Sequence, residues 1–213
     1  MKQFIRKVYN YGNYLCEILV RIKTILWYKQ LFGIIGKHCA IFNPLRLIAP
    51  HNIKIGSHVR IYKDSRIETI ESWGDIKFNP TILIGNRTTI EQRLHLICVS
   101  KVEIGDDVVI SADVMITDNN HQYADVNKSV MSQPLEVKET VIGNFCFIGM
   151  GARIMAGARL GNNCIVGSSS VVIGEIQPYC VIAGSPAKII KRYDFKVDKW
   201  RKTSSVGDFI DEV

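Results

Sequence analysis

His121 is the side chain of this sequence best suited to move a proton near neutral pH. It closes the polar run Asp118-Asn119-Asn120-His121, which follows a strand-like stretch. Because an imidazole has a pKa of about 6.5, it can take the proton of a hydroxyl group while that weak nucleophile attacks. A single loop histidine beside Asp and Asn is more often a solvated turn residue. Whether His121 is a catalytic base or a solvated turn residue therefore depends on the structural elements that position it.

The composition is that of an ordinary folded chain with an excess of basic residues. The protein has 213 residues, of which 47% are hydrophobic and 22% charged, and its formal net charge is +7. These fractions exclude wholesale disorder, and the length suits one domain with extensions. There is no run of about 18 apolar residues and no short apolar core followed by a cleavage site. We therefore expect neither a membrane-spanning helix nor a secretory signal.

The cysteines do not form a pattern that indicates a metal site or a disulfide framework. They stand at positions 16, 39, 98, 146, 164 and 180, with no C-x-x-C pair. We expect reduced thiols that pack as small apolar groups.

An aliphatic residue returns every six positions through most of the chain. The residues in phase are Ile55, Ile61, Ile67, then Ile84, Ile90, Leu96, then Ile104, Ile110, Ile116, then Ile142, Ile148, Ile154, Leu160, Val166 and Val172. A helix cannot carry this period, because its apolar face would rotate away from the core. Three short strands joined by corners can, and they close one triangular coil. The pattern predicts an all-β solenoid whose aliphatic residues point inward, with Cys146 and Cys164 stacked in neighbouring coils.

The six-residue period fails between Ile116 and Ile142, directly after the polar run that ends at His121. A stacked coil accepts an insertion only at a corner, where the extra residues loop outward. We therefore expect an external loop over about residues 122–140, with His121 at its start.

The repeats resemble those of the hexapeptide-repeat acyltransferases, and most closely the maltose, galactoside and lipopolysaccharide O-acetyltransferase branch. The resemblance covers roughly residues 50–192. It rests on Ile104-Gly105-Asp106-Asp107-Val108, on Thr117 through His121, and on the closing run Gly184-Ser185-Pro186-Ala187-Lys188. It implies a left-handed parallel β-helix. Because residues 1–35 lack the repeat and are typical of one or two helices, we expect an N-terminal helical extension over 1–37, the β-helix over 38–187, and a basic segment and tail over 188–213. The resemblance also implies a homotrimer whose site is shared between neighbours.

The resemblance implies an acetyl-CoA-dependent sugar O-acetyltransferase in which His121 is the general base. Backbone N–H groups of Gly149-Met150-Gly151 are a candidate oxyanion site. Asp118 either orients His121 or forms a turn, and Asn120 belongs to the same polar cluster. His95 either faces the acceptor or is structural. We expect direct transfer to a precursor of a surface polysaccharide such as O-antigen or capsule, in the cytoplasm or at the cytoplasmic face of the membrane.

Coenzyme A contacts carry over position by position from the resemblance. The corresponding residues are Phe147, Gly149, Met150, Ser168, Lys188 and Lys191. Relatives commonly have a lysine at the last coil, where this chain has Gly174, so coenzyme A phosphates must be held differently here.

Other functions remain alternatives or are excluded. An amino-sugar N-acetyltransferase could use the same base, and a non-catalytic solenoid scaffold is an alternative of another class. A γ-type carbonic anhydrase needs three metal histidines, whereas no second histidine lies near His121 in the sequence, so we expect no metal. Phosphate-loop and dinucleotide motifs are absent from the sequence.

The positive charge is confined to the two ends of the chain. Residues 1–37 carry a surplus of six positive charges and residues 188–202 a surplus of five, whereas residues 38–187 have a net charge of −1. Because no basic stripe runs along the repeats, we expect no nucleic-acid partner. Residues 1–35 mix aromatic and basic side chains, which leaves two interpretations open: a helix at the surface of the inner membrane, or a cap on the first coil. We expect Val197–Val213 to be a short helix or a loose tail.

Overall fold

The six-residue repeats form the sides of a triangular coil, and successive coils stack on one another. The computed structural model describes residues 1–210, and over these residues the chain makes six complete coils and part of a seventh. In chain order, the coil strands and the two hairpins between them are Ile34–Ile35 (β1), Ala40–Ile41 (β2) and Arg46–Ile48 (β3); Ile53–Ile55 (β4), Arg60–Ile61 (β5) and Arg66–Thr69 (β6); the hairpin Ser72–Trp73 (β7) and Ile76–Lys77 (β8); Thr81–Ile84 (β9), Thr89–Ile90 (β10) and His95–Cys98 (β11); Lys101–Ile104 (β12), Val109–Ile110 (β13) and Met115–Thr117 (β14); the hairpin Asn119–His121 (β15) and Leu135–Val137 (β16); Thr140–Ile142 (β17), Phe147–Ile148 (β18) and Arg153–Ile154 (β19); Arg159–Leu160 (β20), Ile165–Val166 (β21) and Val171–Val172 (β22); and Glu175–Ile176 (β23) and Cys180–Gly184 (β24).

Strands that occupy the same side of successive coils pair in parallel and form three sheets. Sheet 1 has the order β1-β4-β9-β12-β17-β20-β23, sheet 2 begins β2-β5-β10-β13-β18-β21-β24, and sheet 3 is β3-β6-β11-β14-β19-β22. The register aligns the repeat residues, so that Ile84 pairs with Ile104, which pairs with Ile142. The predicted parallel β-solenoid is therefore confirmed. The three columns of corners are named 1–2, 2–3 and 3–1 after the sheets that they join.

The core is the predicted prism of aliphatic side chains. The inward repeat residues of all three sheets are almost fully buried; Ile61, Ile90, Leu96, Ile110 and Ile116 have no exposed surface. Cys146 and Cys164 are also buried, and they precede the paired residues Phe147 and Ile165 of neighbouring coils. They therefore pack as the small corner residues that the repeat predicts.

A ladder of side chains at corner 1–2 explains why glycine follows the aliphatic residue. The backbone N–H of Asp106 donates to Asn144 Oδ1 at 2.8 Å, and that of Asn144 donates to Asn162 Oδ1 at 2.8 Å. Each side chain thus reaches into the corner of the preceding coil. A Cβ on Gly105 would lie 2.5 Å from Asn144 Oδ1, closer than real Cβ contacts allow. Glycine at this position makes room for the polar link between coils.

The N-terminal segment divides into an exposed helix and a short cap. Helix α1 (Lys2–Lys23) has no buried residue, and a π-helical turn (Thr24–Tyr28) and helix α2 (Lys29–Leu31) follow it. Tyr28 and Phe32 pack into the core, and the Thr24 hydroxyl accepts a hydrogen bond from the Ile41 N–H at 2.9 Å. The repeat already begins at Ile34, inside the region expected to be a helical extension.

The C-terminal segment extends sheet 2 by antiparallel strands. Strand β25 (Ala187–Asp194) folds back on β24, and β26 (Lys199–Lys202) pairs with β25. The expectation of a short helix or loose tail from Val197 is therefore wrong for the part of that stretch that forms β26, because an edge strand of sheet 2 was available to pair. Residues 211–213 of the expected tail lie outside the described residues. Among the helices of residues 1–210, none is long and apolar enough to cross a membrane.

Two neighbouring residues of β13 test how much the prism contributes to stability. Ile110 is fully buried, whereas Val109 points outward with 38% of its surface exposed. We expect Ile110→Ala to lower the free energy of unfolding by about 3 kcal/mol, since it removes buried methylenes and leaves a cavity. Val109→Ala should cost less than about 1 kcal/mol. Urea denaturation followed by circular dichroism measures both, and equal losses would contradict the assigned orientation of the strand.

Candidate active site

His121 lies on a hairpin that leaves the solenoid at corner 3–1. The hairpin strands β15 and β16 pair antiparallel, with His121 opposite Leu135. The His121 side chain is exposed and lines a cleft of about 610 Å³ together with residues 120–124 and Glu136. The predicted outward insertion is therefore present, and its first strand carries the candidate base at the mouth of a cleft.

Trp73 contacts the His121 ring from a second hairpin, formed by β7 and β8. The two ring centroids are 5.1 Å apart, with the planes at 61° in an edge-to-face arrangement. The indole N–H of Trp73 donates to the backbone carbonyl of Gln133, 2.9 Å away, in the loop that returns from His121. Both hairpins leave corner 3–1, two coils apart, and the aromatic contact joins them.

Trp73 is a site residue that the sequence reasoning missed. The signal was a second failure of the period, between Ile67 and Ile84, which includes the turn-forming run Gly74-Asp75. That failure indicates another corner insertion. It does not indicate that the insertion reaches His121, because the two hairpins are far apart in the sequence.

Gln133 keeps the His121 loop in its shape. Its side chain is buried, and its Oε1 accepts the Asp125 N–H at 3.0 Å. Its Nε2 donates to the backbone carbonyls of Asp125 and Lys128 at 3.0 and 3.2 Å. Because the carbonyl of the same residue accepts from Trp73, Gln133 connects the loop interior to the aromatic contact.

Asp118 supports a turn of the preceding coil. Its carboxylate is fully buried and accepts the N–H groups of Val99 at 2.8 Å and Ser100 at 2.7 Å. Burial and this carboxylate together raise the pKa of the Cys98 thiol, whose Sγ lies 3.4 Å from Asp118 Oδ2. Of the two roles expected for Asp118, these contacts favour the turn-forming one.

Asn120 and His95 lie on different surfaces. Asn120 lines the cleft beside His121 and stands opposite Glu136 in the hairpin. His95 is half-buried on the outer face of sheet 3, where it pairs in register with Arg66 and Met115. Burial first, and then the positive charge of Arg66, lower the pKa of His95, so that its ring is neutral at pH 7.

Four of the candidate coenzyme A residues lie at or beside corner 2–3. Phe147 projects outward from β18 with 45% of its surface exposed, and Met150 follows at the corner with 56% exposed. Ser168 occupies the equivalent corner position one coil further on, and a Cβ on Gly149 would lie 2.6 Å from the Ser168 nitrogen. The corner is therefore closely packed at its backbone, with apolar side chains on its outer surface.

Most of the backbone N–H groups expected at the oxyanion site are already engaged. The Gly149 N–H donates to the Val166 carbonyl at 2.9 Å, and the Gly151 N–H to the Ala112 carbonyl at 3.0 Å. Within residues 1–210 only the Met150 N–H of this segment has no acceptor. The expectation of several donors in this segment is corrected to one, because the coil-to-coil ladder uses the others.

Lys188 and Lys191 are exposed on β25, the antiparallel strand added to sheet 2. The register runs from Phe147 to Ile165, then Val181, then Lys191. Neighbouring strands are about 4.8 Å apart, so Lys191 lies roughly 14 Å from Phe147 along the same face. An apolar contact and a basic group therefore share one outer surface.

His121 and the candidate coenzyme A residues lie on different corner columns of one chain. His121 follows sheet 3 at corner 3–1, whereas Met150 and Ser168 lie at corner 2–3. The whole width of sheet 3 separates the two columns. No group of three or more His, Cys, Asp or Glu side chains among residues 1–210 is arranged to hold a metal ion.

Comparison with known proteins identifies the repeats. Residues 139–174 match the family model "Bacterial transferase hexapeptide (six repeats)". Over 128 residues the chain is 35% identical to WbbJ of Escherichia coli (strain K12), whose assignment as an O-acetyl transferase of lipopolysaccharide biosynthesis is itself inferred. The match covers 57% of this chain and 65% of that relative.

Two solved structures share the architecture. A maltose O-acetyltransferase from Clostridium difficile 630 has a TM-score of 0.52 and 25% identity, covering 78% of this chain and 72% of its own. The N-acyltransferase AntD from Bacillus cereus has a TM-score of 0.65 and 18% identity, covering 80% of this chain and 88% of its own. Residues 139–174 of the chain therefore carry the repeats of this transferase family model. The solenoid of the chain is the left-handed parallel β-helix that the resemblance implied.

The backbone conformation explains why this chain has Gly174 where relatives commonly have a lysine. The residue has a φ of +69°, a left-handed conformation that side-chain-bearing residues rarely adopt, and a Cβ there would meet no atom within 4 Å. Space would therefore permit a lysine, but the backbone disfavours one.

The role of Asp118 can be tested through stability. We expect Asp118→Ala to lower the free energy of unfolding by about 3 kcal/mol, because the buried N–H groups of Val99 and Ser100 lose their acceptor. Glu136→Ala is the matched control. It removes an exposed carboxylate that pairs with Lys138 and should cost less than about 1 kcal/mol. Urea denaturation measures both, and an Asp118→Ala protein as stable as the control would refute the turn-supporting role.

Proposed function

We propose that the protein is an acetyl-CoA-dependent O-acetyltransferase that modifies a saccharide precursor of a surface polysaccharide. The observation that carries the proposal is the position of His121, exposed at the mouth of the cleft with its ring against Trp73. The match of residues 139–174 to the transferase hexapeptide model and the similarity to the relative assigned to lipopolysaccharide biosynthesis support the reaction class. We place the reaction in the cytoplasm or at the cytoplasmic face of the membrane, where acetyl-CoA is available.

The proposed chemistry is a direct transfer in one ternary complex. The His121 imidazole takes the proton of the acceptor hydroxyl as its oxygen attacks the thioester carbonyl. The Met150 N–H is the donor that this chain offers to the developing oxyanion. The attack forms the C–O bond of the ester and leaves a tetrahedral oxyanion. Its collapse restores the carbonyl and breaks the C–S bond, and the imidazolium gives its proton to the leaving thiolate. The products are the acetylated saccharide and coenzyme A.

We propose that the complete site forms between copies of the chain in a homotrimer. His121 and Met150 lie on different corner columns, so one chain does not bring base and oxyanion donor together. In a three-fold ring, corner 3–1 of one copy can face corner 2–3 of its neighbour, which would close the gap. Closed cyclic symmetry is the common form of such an arrangement.

Coenzyme A fits the outer surface of sheet 2 and the adjoining corner. In the proposed complex, Phe147 and Met150 contact the acyl end and the pantetheine arm, and Ser168 and Gly149 border the arm. Lys188 and Lys191 meet the phosphates, a role that Gly174 cannot take. The order from apolar to basic along the register matches the order of the cofactor's own groups.

The acceptor fits the cleft at corner 3–1. Trp73 offers an aromatic edge beside the base, and Asn120 offers an amide for sugar hydroxyls. In the proposed complex His95 does not contact the acceptor, because it lies on the outer face of sheet 3 and not in the cleft. An amine acceptor would use the same base, so the alternative of an amino-sugar N-acetyltransferase stands beside the hydroxyl one.

A screen of acceptors with acetyl-CoA tests the proposal directly. Thiol release with a nucleotide sugar, a lipid-linked saccharide or a free glycoside, together with a product heavier by one acetyl group, is the expected result. Removal of the new group by mild alkali identifies an ester, whereas resistance identifies an amide and the N-acetyltransferase. Failure of every acceptor and of acetyl-CoA binding would favour the non-catalytic scaffold.

We expect His121→Ala to lower kcat for acetyl transfer at least about a hundredfold, the scale of a lost general base. The matched control is His58→Ala, which removes a histidine that stacks on His38 at a corner away from the cleft, with ring centroids 4.9 Å apart. The control should retain turnover. A His121→Ala enzyme with the turnover of the wild type would refute the assignment of the base.

We expect Trp73→Ala to raise KM for the saccharide about tenfold and to leave KM for acetyl-CoA unchanged, since the ring lies on the acceptor side of the site. Trp73→Phe keeps an aromatic face but loses the N–H bond to Gln133, so it should recover part of the saccharide affinity. Trp27→Ala, which removes an indole that is 62% exposed on the N-terminal segment, is the control. Steady-state kinetics in both substrates measure the effect, and an equal change in the two KM values would contradict it.

A further inference from the structure

Helix α1 presents an apolar stripe that no part of the described chain covers. The stripe consists of Phe4, Val8, Tyr11, Leu15, Leu19 and Ile22, which recur at intervals of three or four residues on one face of the helix. Their exposed fractions run from 41% at Leu15 to 70% at Phe4. Contiguous apolar surface of this kind marks an interaction site.

All but one of the charged side chains of the N-terminal segment are basic. Residues 2–29 include Lys2, Arg6, Lys7, Arg21, Lys23 and Lys29. The single acidic residue of this segment, Glu17, forms an ion pair with Arg60 on β5 of sheet 2. The positive charge of α1 therefore lies at its two ends, with no basic residue between Lys7 and Arg21.

The positive charge of α1 indicates which partner would cover the apolar stripe. Helices that pack against copies of themselves bring their flanking residues together, and here that would place basic groups beside basic groups. An anionic lipid surface offers the opposite charge to the basic flanks and an apolar layer to the stripe. Tyrosine and tryptophan, with one apolar and one polar part, suit the boundary between these layers.

We propose that α1 lies in the surface of an anionic lipid bilayer, parallel to its plane, with the stripe turned toward the acyl chains. The π-helical turn and Phe32 fix the end of this helix to the first coil through Tyr28 and Thr24. The bilayer therefore holds the solenoid by its N-terminal end. This proposal rests on α1 and not on the proposed transfer reaction.

The test uses the full chain and vesicles of two compositions. Sedimentation with vesicles of phosphatidylethanolamine and phosphatidylglycerol should carry the protein down at low salt, whereas phosphatidylcholine vesicles should bind it far less. The charge variant Lys2→Gln/Arg6→Gln/Lys7→Gln should weaken binding on the order of a hundredfold, since each basic residue near such a surface contributes about fivefold. The stripe variant Leu15→Gln/Leu19→Gln should weaken it at least about tenfold.

Matched variants elsewhere on the surface serve as controls. Lys54→Gln/Lys63→Gln/Lys77→Gln removes three exposed charges from the solenoid, and Leu45→Gln/Val206→Gln removes two apolar side chains that are 75% and 72% exposed. Both should bind vesicles like the wild type. Equal binding to the two vesicle types, or equal loss in the controls, would overturn the proposal. So would a stripe variant that binds vesicles normally but sediments as a smaller oligomer in analytical ultracentrifugation, because the stripe would then be a contact between copies.

Discussion

The parallel hydrogen bonds between coils determine where every other feature of this protein lies. Because Ile84, Ile104 and Ile142 are held in register, the corners that follow them fall in straight columns. The polar ladder through Asn144 and Asn162 adds a second set of links at corner 1–2. Residues inserted at a corner therefore leave the stack from a known column, at the level of their own coil. The candidate site is a consequence of that regular geometry.

The solenoid could be predicted from sequence because its period is incompatible with a helix. Ile104, Ile110 and Ile116 occupy the three sheets that the six-residue spacing required. The first strand, Ile34–Ile35, was not predicted, although Ile35 and Ile41 keep the phase and Gly36 follows Ile35. It was missed because it follows a stretch of aromatic and basic residues that dominates the local pattern. The C-terminal strands were not predicted either. Their pairing depends on an open edge of sheet 2, which only the assembled sheet supplies.

Some features of the candidate site follow from a break in the six-residue period, whereas others depend on contacts that only the folded chain shows. The insertion after His121 was predicted, since the period fails there. The approach of Trp73 was not, because it joins two insertions through folded coils. The same limit applies to Asp118, whose partners belong to the preceding coil, and to Gly149, whose N–H is already bonded. A sequence motif specifies residue types, but the neighbouring coil determines whether a backbone N–H is already hydrogen-bonded.

The two hairpins at corner 3–1 have an evolutionary consequence. Both stand outside the ladder, so either can lengthen or shorten without shifting a single coil. The bond from Trp73 to the Gln133 carbonyl nevertheless ties one hairpin to the other. Substitutions that reshape the return loop would have to be matched by changes around the tryptophan. Selection for a different shape of the cleft would therefore act on the two hairpins as a pair, while the prism that carries them stays the same.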